Sequence, residues 1–176
     1  MTLQSWEPLI GDNESLIFDL VFINAKEGNF KKMVKTAQMS EYKMGKLFVD
    51  NENGRNIIIE AVLGNQNNFI KIIFEAFHRK EPYFLDEFMN HRDYDGMTPL
   101  MYAVYHNLKN IVHTLTYYQC DLNIVNNNYE TALMIAAKSN NTELFNILVK
   151  AGADTEINNK FGKIAHDLFP RRTARR

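Results

Sequence analysis

The chain repeats itself every 33 residues, and a period of that size restricts the possible folds more than any other feature. The segment Asp93-Tyr94-Asp95-Gly96-Met97-Thr98-Pro99-Leu100-Met101-Tyr102-Ala103 is followed by Asn126-Asn127-Asn128-Tyr129-Glu130-Thr131-Ala132-Leu133-Met134-Ile135-Ala136. Thr98 and Thr131, Leu100 and Leu133, Ala103 and Ala136, and Asp121 and Asp154 are each 33 residues apart. A further step from Tyr129 reaches Gly162, within Asn159-Lys160-Phe161-Gly162-Lys163-Ile164-Ala165. One supersecondary unit of this length cannot bury its apolar face alone, so copies must stack and each contacts chiefly its neighbours.

Local chemistry predicts a helix pair in each unit. Thr98 can cap a free backbone N–H, and Pro99 suits the first helical position because its φ is preset and its missing N–H is not needed there. The first helix is expected to run to about Tyr105, with Leu100 and Ala103 facing inward. His106-Asn107 makes the turn. Leu108, Ile111, Val112 and Leu115 then recur at i, i+3, i+4 and i+7 on one face of a second helix, which ends at Gln119-Cys120-Asp121. In the following unit Thr131 caps, Leu133 and Ala136 pack inward, and Leu144, Ile147 and Leu148 stripe the second helix. Gly152 sits where a left-handed terminus is wanted.

The Asp-x-x-Gly-x-Thr-Pro-Leu-x-x-Ala segment, the apolar second helix and Ala151-Gly152-Ala153-Asp154 together resemble the ankyrin repeat. The resemblance covers about Leu16 to Phe169 and is strongest from Asn90 to Leu168. It implies an all-α solenoid of stacked helix-turn-helix units joined by short β-hairpin turns. Two weaker units lie upstream. Asn51-Glu52-Asn53-Gly54-Arg55-Asn56 matches the turn and cap, and Ala25-Lys26-Glu27-Gly28-Asn29-Phe30 resembles an interhelix turn. The expected organisation is an N-terminal extension over 1–14, about four and a half repeats over 15–169, and a basic tail over 170–176.

Three departures carry expectations. Gly54 and Gly96 are 42 residues apart, so the second unit holds nine extra residues, which fall near His78 to Phe88 and predict an exposed loop or a lengthened helix end. Phe69 to Phe77 reads as apolar nearly all round, so something must cover its outer side, either that insertion or Met1 to Asp12 with Trp6. Pro170 follows His166-Asp167-Leu168-Phe169 at once and blocks further helix, so part of the face from Leu144 to Val149 is expected to be under-capped. An open end of this kind offers a surface for self-association.

Charge and composition narrow the function. The net charge of −1 gives no general case for nucleic acid or an anionic membrane. No apolar run approaches the roughly 20 residues a membrane span needs, and the start of the chain lacks a secretory pattern. Cys120 is the only cysteine, so no intrachain disulfide forms, and a reducing compartment, cytoplasmic or nuclear, is the expected setting. The sequons at Asn13 and Asn140 are then coincidental. No phosphate loop, metal-ligand spacing or nucleophile motif occurs, so neither an enzyme nor a cofactor is expected. Cys120 occupies the register of Ala153 and reads as a buried, inert thiol. His78, His91, His106, His113 and His166 are scattered without ligand spacing. The terminal Arg171-Arg172-Thr173-Ala174-Arg175-Arg176 has three readings: a solvated tail, a nuclear import signal, or a docking tail for an acidic partner or RNA.

Stacking would align every hairpin tip and first-helix end along one rigid concave wall, and the resemblance implies that protein partners bind there. By register the wall comprises Glu52, Asn53, Arg55 and Leu63, then Tyr94, Asp95, Met97, Tyr105 and His106. Asn127, Asn128, Glu130, Lys138 and Ser139 follow, then Lys160, Phe161 and Lys163. Tyr94, Met97 and Tyr105 are the expected centre, because aromatic residues and Met supply anchor area in interfaces. The function expected is regulation of one protein partner, first as a regulatory subunit of a protein kinase. The alternatives are an inhibitor of a transcription factor of NF-κB type and a self-associating scaffold. No motif in the chain specifies either regulator.

Overall fold

The computed structural model describes residues 23–29, 31–32, 52–80 and 82–170, with the side chains of 76–84 excepted. The predicted extension with Trp6, most of the first unit and the terminal arginines lie outside the described residues. Helical backbone at 23–26 and 31–32 is followed by α1 (Ile57–Leu63), α2 (Asn67–Lys80), α3 (Pro82–Asn90), α4 (Pro99–Tyr105), α5 (Lys109–Tyr117), α6 (Ala132–Lys138) and α7 (Thr142–Lys150). A single 3-10 turn, Ala165–Leu168, closes the series.

The predicted capping chemistry operates at each first helix. Asn56 Oδ1 accepts from the N–H groups of Ile58 and Ile59 at 3.1 and 2.9 Å. Thr98 Oγ1 accepts from Met101 N at 3.2 Å, and Thr131 Oγ1 from Met134 N at 3.3 Å. These bonds satisfy donors that a helix start otherwise leaves open. The turn into each second helix requires one residue with positive φ, and Asn65, Asn107 and Asn140 supply it at 56°, 56° and 54°. Asparagine is among the few residues with a side chain that adopt this conformation readily.

The first helices form one layer, α1 against α4, α4 against α6, and α6 against the closing 3-10 turn. The second helices α2, α5 and α7 form the other. Between them lies a continuous core in which Leu100, Ala103, Leu133 and Ala136 are at most 1% exposed. Thr98 and Thr131 thus begin equivalent, adjacent helices. The structure is an all-α repeat stack, and among the described residues no strand forms. Each tip is a tight turn closed by a bond such as Asp93 N to Met97 O, 3.1 Å, or Asn126 N to Glu130 O, 3.0 Å.

The insertion takes the second of its two expected forms, and two other expectations need correction. The nine extra residues do not make a loop; they lengthen α2 to Lys80 and contribute to α3, which packs against α2 and α4 and buries Leu85, Phe88 and Met89. A proline cannot continue a helix interior, so Pro82 separates the two helices. α2 is also less uniformly apolar in its setting than its sequence implied, because Lys71, Ile72 and Glu75 face solvent. The closing end is also fuller than expected. Leu144, Phe145 and Leu148 are buried, and Phe145 is covered edge-on by His166 and Phe169, each with ring centroids 5.0 Å away. Pro170 ends the helix, as expected, but Phe169 just before it folds back and fills the gap. Val149 alone of that face stays exposed.

Leu133 has no exposed surface. Leu133→Ala removes its contacts in the centre of the stack and is expected to cost about 2–5 kcal/mol, measured by urea unfolding followed by circular dichroism.

Candidate functional site at the hairpin tips

Each tip is built from the inside by one side-chain oxygen. Asp93 Oδ1 accepts from the backbone N–H groups of Asp95 and Met97 at 3.0 and 2.8 Å. One period later Asn126 Oδ1 accepts from Asn128 and Glu130 at 2.9 and 3.0 Å, and Asn159 Oδ1 accepts from Phe161 and Lys163 at 2.9 and 3.1 Å. All three residues are buried. Asp and Asn are suited to this work because their short polar side chains reach backbone two residues on. The position three residues after each oxygen must adopt positive φ, and Gly96 and Gly162 do so at 75° and 68°.

Neighbouring tips are tied together. Asn127 N donates to Asp95 O at 3.1 Å, and Asn127 Nδ2 to Tyr94 O at 2.7 Å. Tyr94 N approaches Asn53 O at 3.4 Å, and Lys160 Nζ donates to Asn128 Oδ1 at 2.9 Å. A Cβ at Gly96 would lie 2.8 Å from Asn127 N, so both φ and close approach require glycine here.

The structure brings the predicted wall residues onto one surface with differing exposure. Glu52, Asn53, Tyr94, Asp95, Tyr105, His106, Asn127 and Asn128 are exposed, as are Lys138, Ser139, Lys160, Phe161 and Lys163. Tyr94 and Phe161 are each 72% exposed and Tyr105 65%. Arg55 and Met97 were expected on the outer wall and instead turn inward. Met97 packs against the core, and its sulfur accepts from Asn126 Nδ2 at 3.6 Å. Leu63 and Glu130 are also half-buried.

Arg55 turns inward because Asp93 carries a charge that burial would otherwise strand. Tyr102 Oη donates to Asp93 Oδ2 at 2.6 Å, and Arg55 Nη2 donates to Tyr102 Oη at 3.1 Å. Arg55 Nε lies 3.5 Å from Asp93 Oδ2, and Arg55 Nη1 3.8 Å from Glu60 Oε1. The guanidinium also sits 5.3 Å from the Tyr102 ring centroid. Burial, then the hydrogen bond to Asp93, pushes the Tyr102 phenol up to about 12. Cys120 is buried as its alanine register implied, and burial pushes its thiol up to about 12. That is the opposite of what nucleophilic chemistry needs.

Two features escaped the sequence reading. Tyr129 holds the glycine position of its tip at φ 59° and is 59% exposed. The signal was present in the series Gly96, Tyr129, Gly162. Ile135, given no role in the sequence analysis, forms one wall of a small cavity of about 170 Å³ with Met97 and Tyr105. Among the described residues no cluster of three or more His, Cys, Asp or Glu could hold a metal ion. No helix there is long and apolar enough to cross a membrane.

Helix pairs stacked at this period, with tips aligned on one side, define a repeat binding scaffold. A family model described as ankyrin repeats (3 copies) matches residues 21–126 and again 110–165, and the chain belongs to the ankyrin repeat family. Ankyrin repeats are in general protein–protein interaction modules. None of the curated proteins compared with the chain matches it significantly.

Two outcomes follow from this geometry. Tyr102 is raised on folding, so its neutral form stabilises the native state fully below pH 10, its ordinary value, and that contribution is lost as pH rises towards about 12. Stability followed by urea unfolding should decline across that window, and Tyr102→Phe should flatten the decline. Tyr129→Gly should raise stability by about 0.5–1 kcal/mol, since relief of left-handed strain (~1–2 kcal/mol) exceeds the added chain entropy (~0.5–1 kcal/mol). Thermal unfolding of the variant checks this.

Proposed function

We propose that the chain binds one protein partner across the tip-and-first-helix wall and regulates that partner by occupying it. The observation that carries this reading is the row of exposed aromatics at consecutive tips. Tyr94, Tyr129 and Phe161 stand out from three successive turns whose supporting residues are buried, with Tyr105 behind them at the end of α4. Aromatic side chains held on a rigid support offer large contact area at low ordering cost. The finer form of the reading, a regulatory subunit of a protein kinase ahead of an inhibitor of a transcription factor of NF-κB type, rests on the family resemblance alone. The self-associating scaffold loses its main support, since the closing end is filled by Phe169.

Affinity capture with the full chain tests the wall. Tyr94→Ala with Tyr105→Ala should weaken retention of the partner at least tenfold, about 1.4 kcal/mol, with melting unchanged. Tyr117, 79% exposed on a second helix, provides the control. Tyr117→Ala should leave capture as it was, and equal losses from both variants would show that binding is not directed by this face.

A further inference from the structure

The cavity beside Met97 has a cause in the repeat register. Between the second and third units the layer is filled by Arg55, Asp93 and Tyr102, which form the buried polar network. The same three positions one layer on are Met97, Asn126 and Ile135. Asn126 is neutral and needs no counter-ion, so the long guanidinium and the phenol are replaced by two shorter apolar side chains. The space they leave is the cavity of about 170 Å³. It lies below the ~300–1,000 Å³ of small-molecule sites, a size suited to one side chain of a polypeptide.

The polar groups around it already have partners. Asn126 Oδ1 holds its own tip and Asn126 Nδ2 contacts Met97 Sδ. Ser139 Oγ donates to Ile135 O at 2.7 Å, and Glu130 Oε1 accepts from Lys138 Nζ at 2.8 Å. An apolar side chain can therefore enter without breaking a hydrogen bond.

Charge gives the surroundings a direction. Towards the first tip the exposed wall residues are acidic, Glu52 and Asp95, with the exposed Arg92 beside them turned to Gly96 O and Asn127 Oδ1. Towards the last they are basic: Lys160 and Lys163 are exposed, while Lys138 and Glu130 pair with each other. The acidic residues of the closing segment, Asp154, Glu156 and Asp167, keep their charges but are not wall positions by register. Asp154 accepts from Glu156 N at 2.8 Å, Glu156 from Thr155 Oγ1 at 2.9 Å, and Asp167 from Ile164 N at 3.3 Å.

We infer that the cavity between the third and fourth tips receives a single large apolar side chain from an acidic peptide segment of the partner, whose carboxylates face Lys160 and Lys163. The inference rests on the wall reading above and adds the chemistry of what the wall accepts. The opposed charges at the two ends set the direction in which the segment lies.

Selection of random peptides of about 12 residues displayed on phage against the full chain tests it. Enriched sequences should share one large apolar residue with two or more Asp or Glu close by. A synthetic peptide of that kind should bind at least about tenfold more tightly than versions with the apolar residue changed to Ser or the acids to Lys. Ser139→Leu, which narrows the cavity at its exposed rim, should weaken it about tenfold, as should Lys160→Glu with Lys163→Glu, and added salt should weaken it further. Enrichment of basic peptides, no enrichment, or indifference to both variants overturns the inference, as does displacement of the peptide by oligouridine at lower concentration than by unlabelled peptide. If any of these occurs while natural partner capture still depends on Tyr94 and Tyr105, the wall reading stands and the acidic-anchor chemistry fails. If capture too is indifferent to Tyr94 and Tyr105, the wall reading itself has failed.

Discussion

One buried side-chain oxygen per unit, on Asp93, Asn126 and Asn159, fixes each tip by accepting two backbone N–H groups, and the surface of the protein follows from that. A tip without this oxygen would lose two hydrogen bonds, at about 0.5–1.5 kcal/mol each, and with them its shape. With it, most outer residues of the turn are free to vary, although Asn127 and Lys160 also tie neighbouring tips together. Tyr94, Asp95, Asn127, Asn128, Lys160 and Phe161 vary across equivalent places while the backbone repeats. Such a division between a constant interior and a variable exterior suits a stack to recognition.

The interior is not wholly constant, and its variation also reaches the surface. Asp93 brings a charge inside, and Arg55 and Tyr102 answer it. Arg55 is thereby drawn away from solvent, and among the described residues the second unit's tip gives the wall Glu52 and Asn53 as exposed groups. Where Asn126 takes the place of Asp93 the compensation is unnecessary, and the layer opens into a cavity beside Tyr105. A change from carboxylate to amide beneath the surface thus separates a closed polar layer from an open apolar one.

The period, the caps at Asn56, Thr98 and Thr131, and the stripes of α5 and α7 were legible because each depends on residues close in sequence. What was not legible depends on reach. Register places the Cα of Arg55 on the wall, but a long side chain can turn towards a buried carboxylate that comes from another unit. The helix α3 was hidden because Pro82 reads as a breaker, while the apolar spacing of Leu85, Phe88 and Met89 shows its meaning only against α2. Phe169 was hidden in the same way: Pro170 announces an end to the helix but not that the residue before it covers Phe145. Tyr129 could have been found, since its two register equivalents are glycines.

The exposed aromatics do not all carry equal weight, and their neighbours show why. Phe161 lies on the last tip in the described residues, and a Cβ placed at Gly162 beside it would meet nothing within 4 Å. Its exposure therefore follows from its position at the end of the series. Tyr94 has a tip on either side, with its N–H towards Asn53 O and its carbonyl accepting from Asn127, and its ring lies across Gly54 closely enough that a Cβ there would come within 2.5 Å. It remains 72% exposed despite these neighbours. Tyr129 is exposed in a backbone conformation that glycine would adopt at lower cost. Exposure that persists against crowding, or against strain, calls for an explanation that end position does not supply. Tyr94 and Tyr129 therefore bear more of the argument for recognition than Phe161 does.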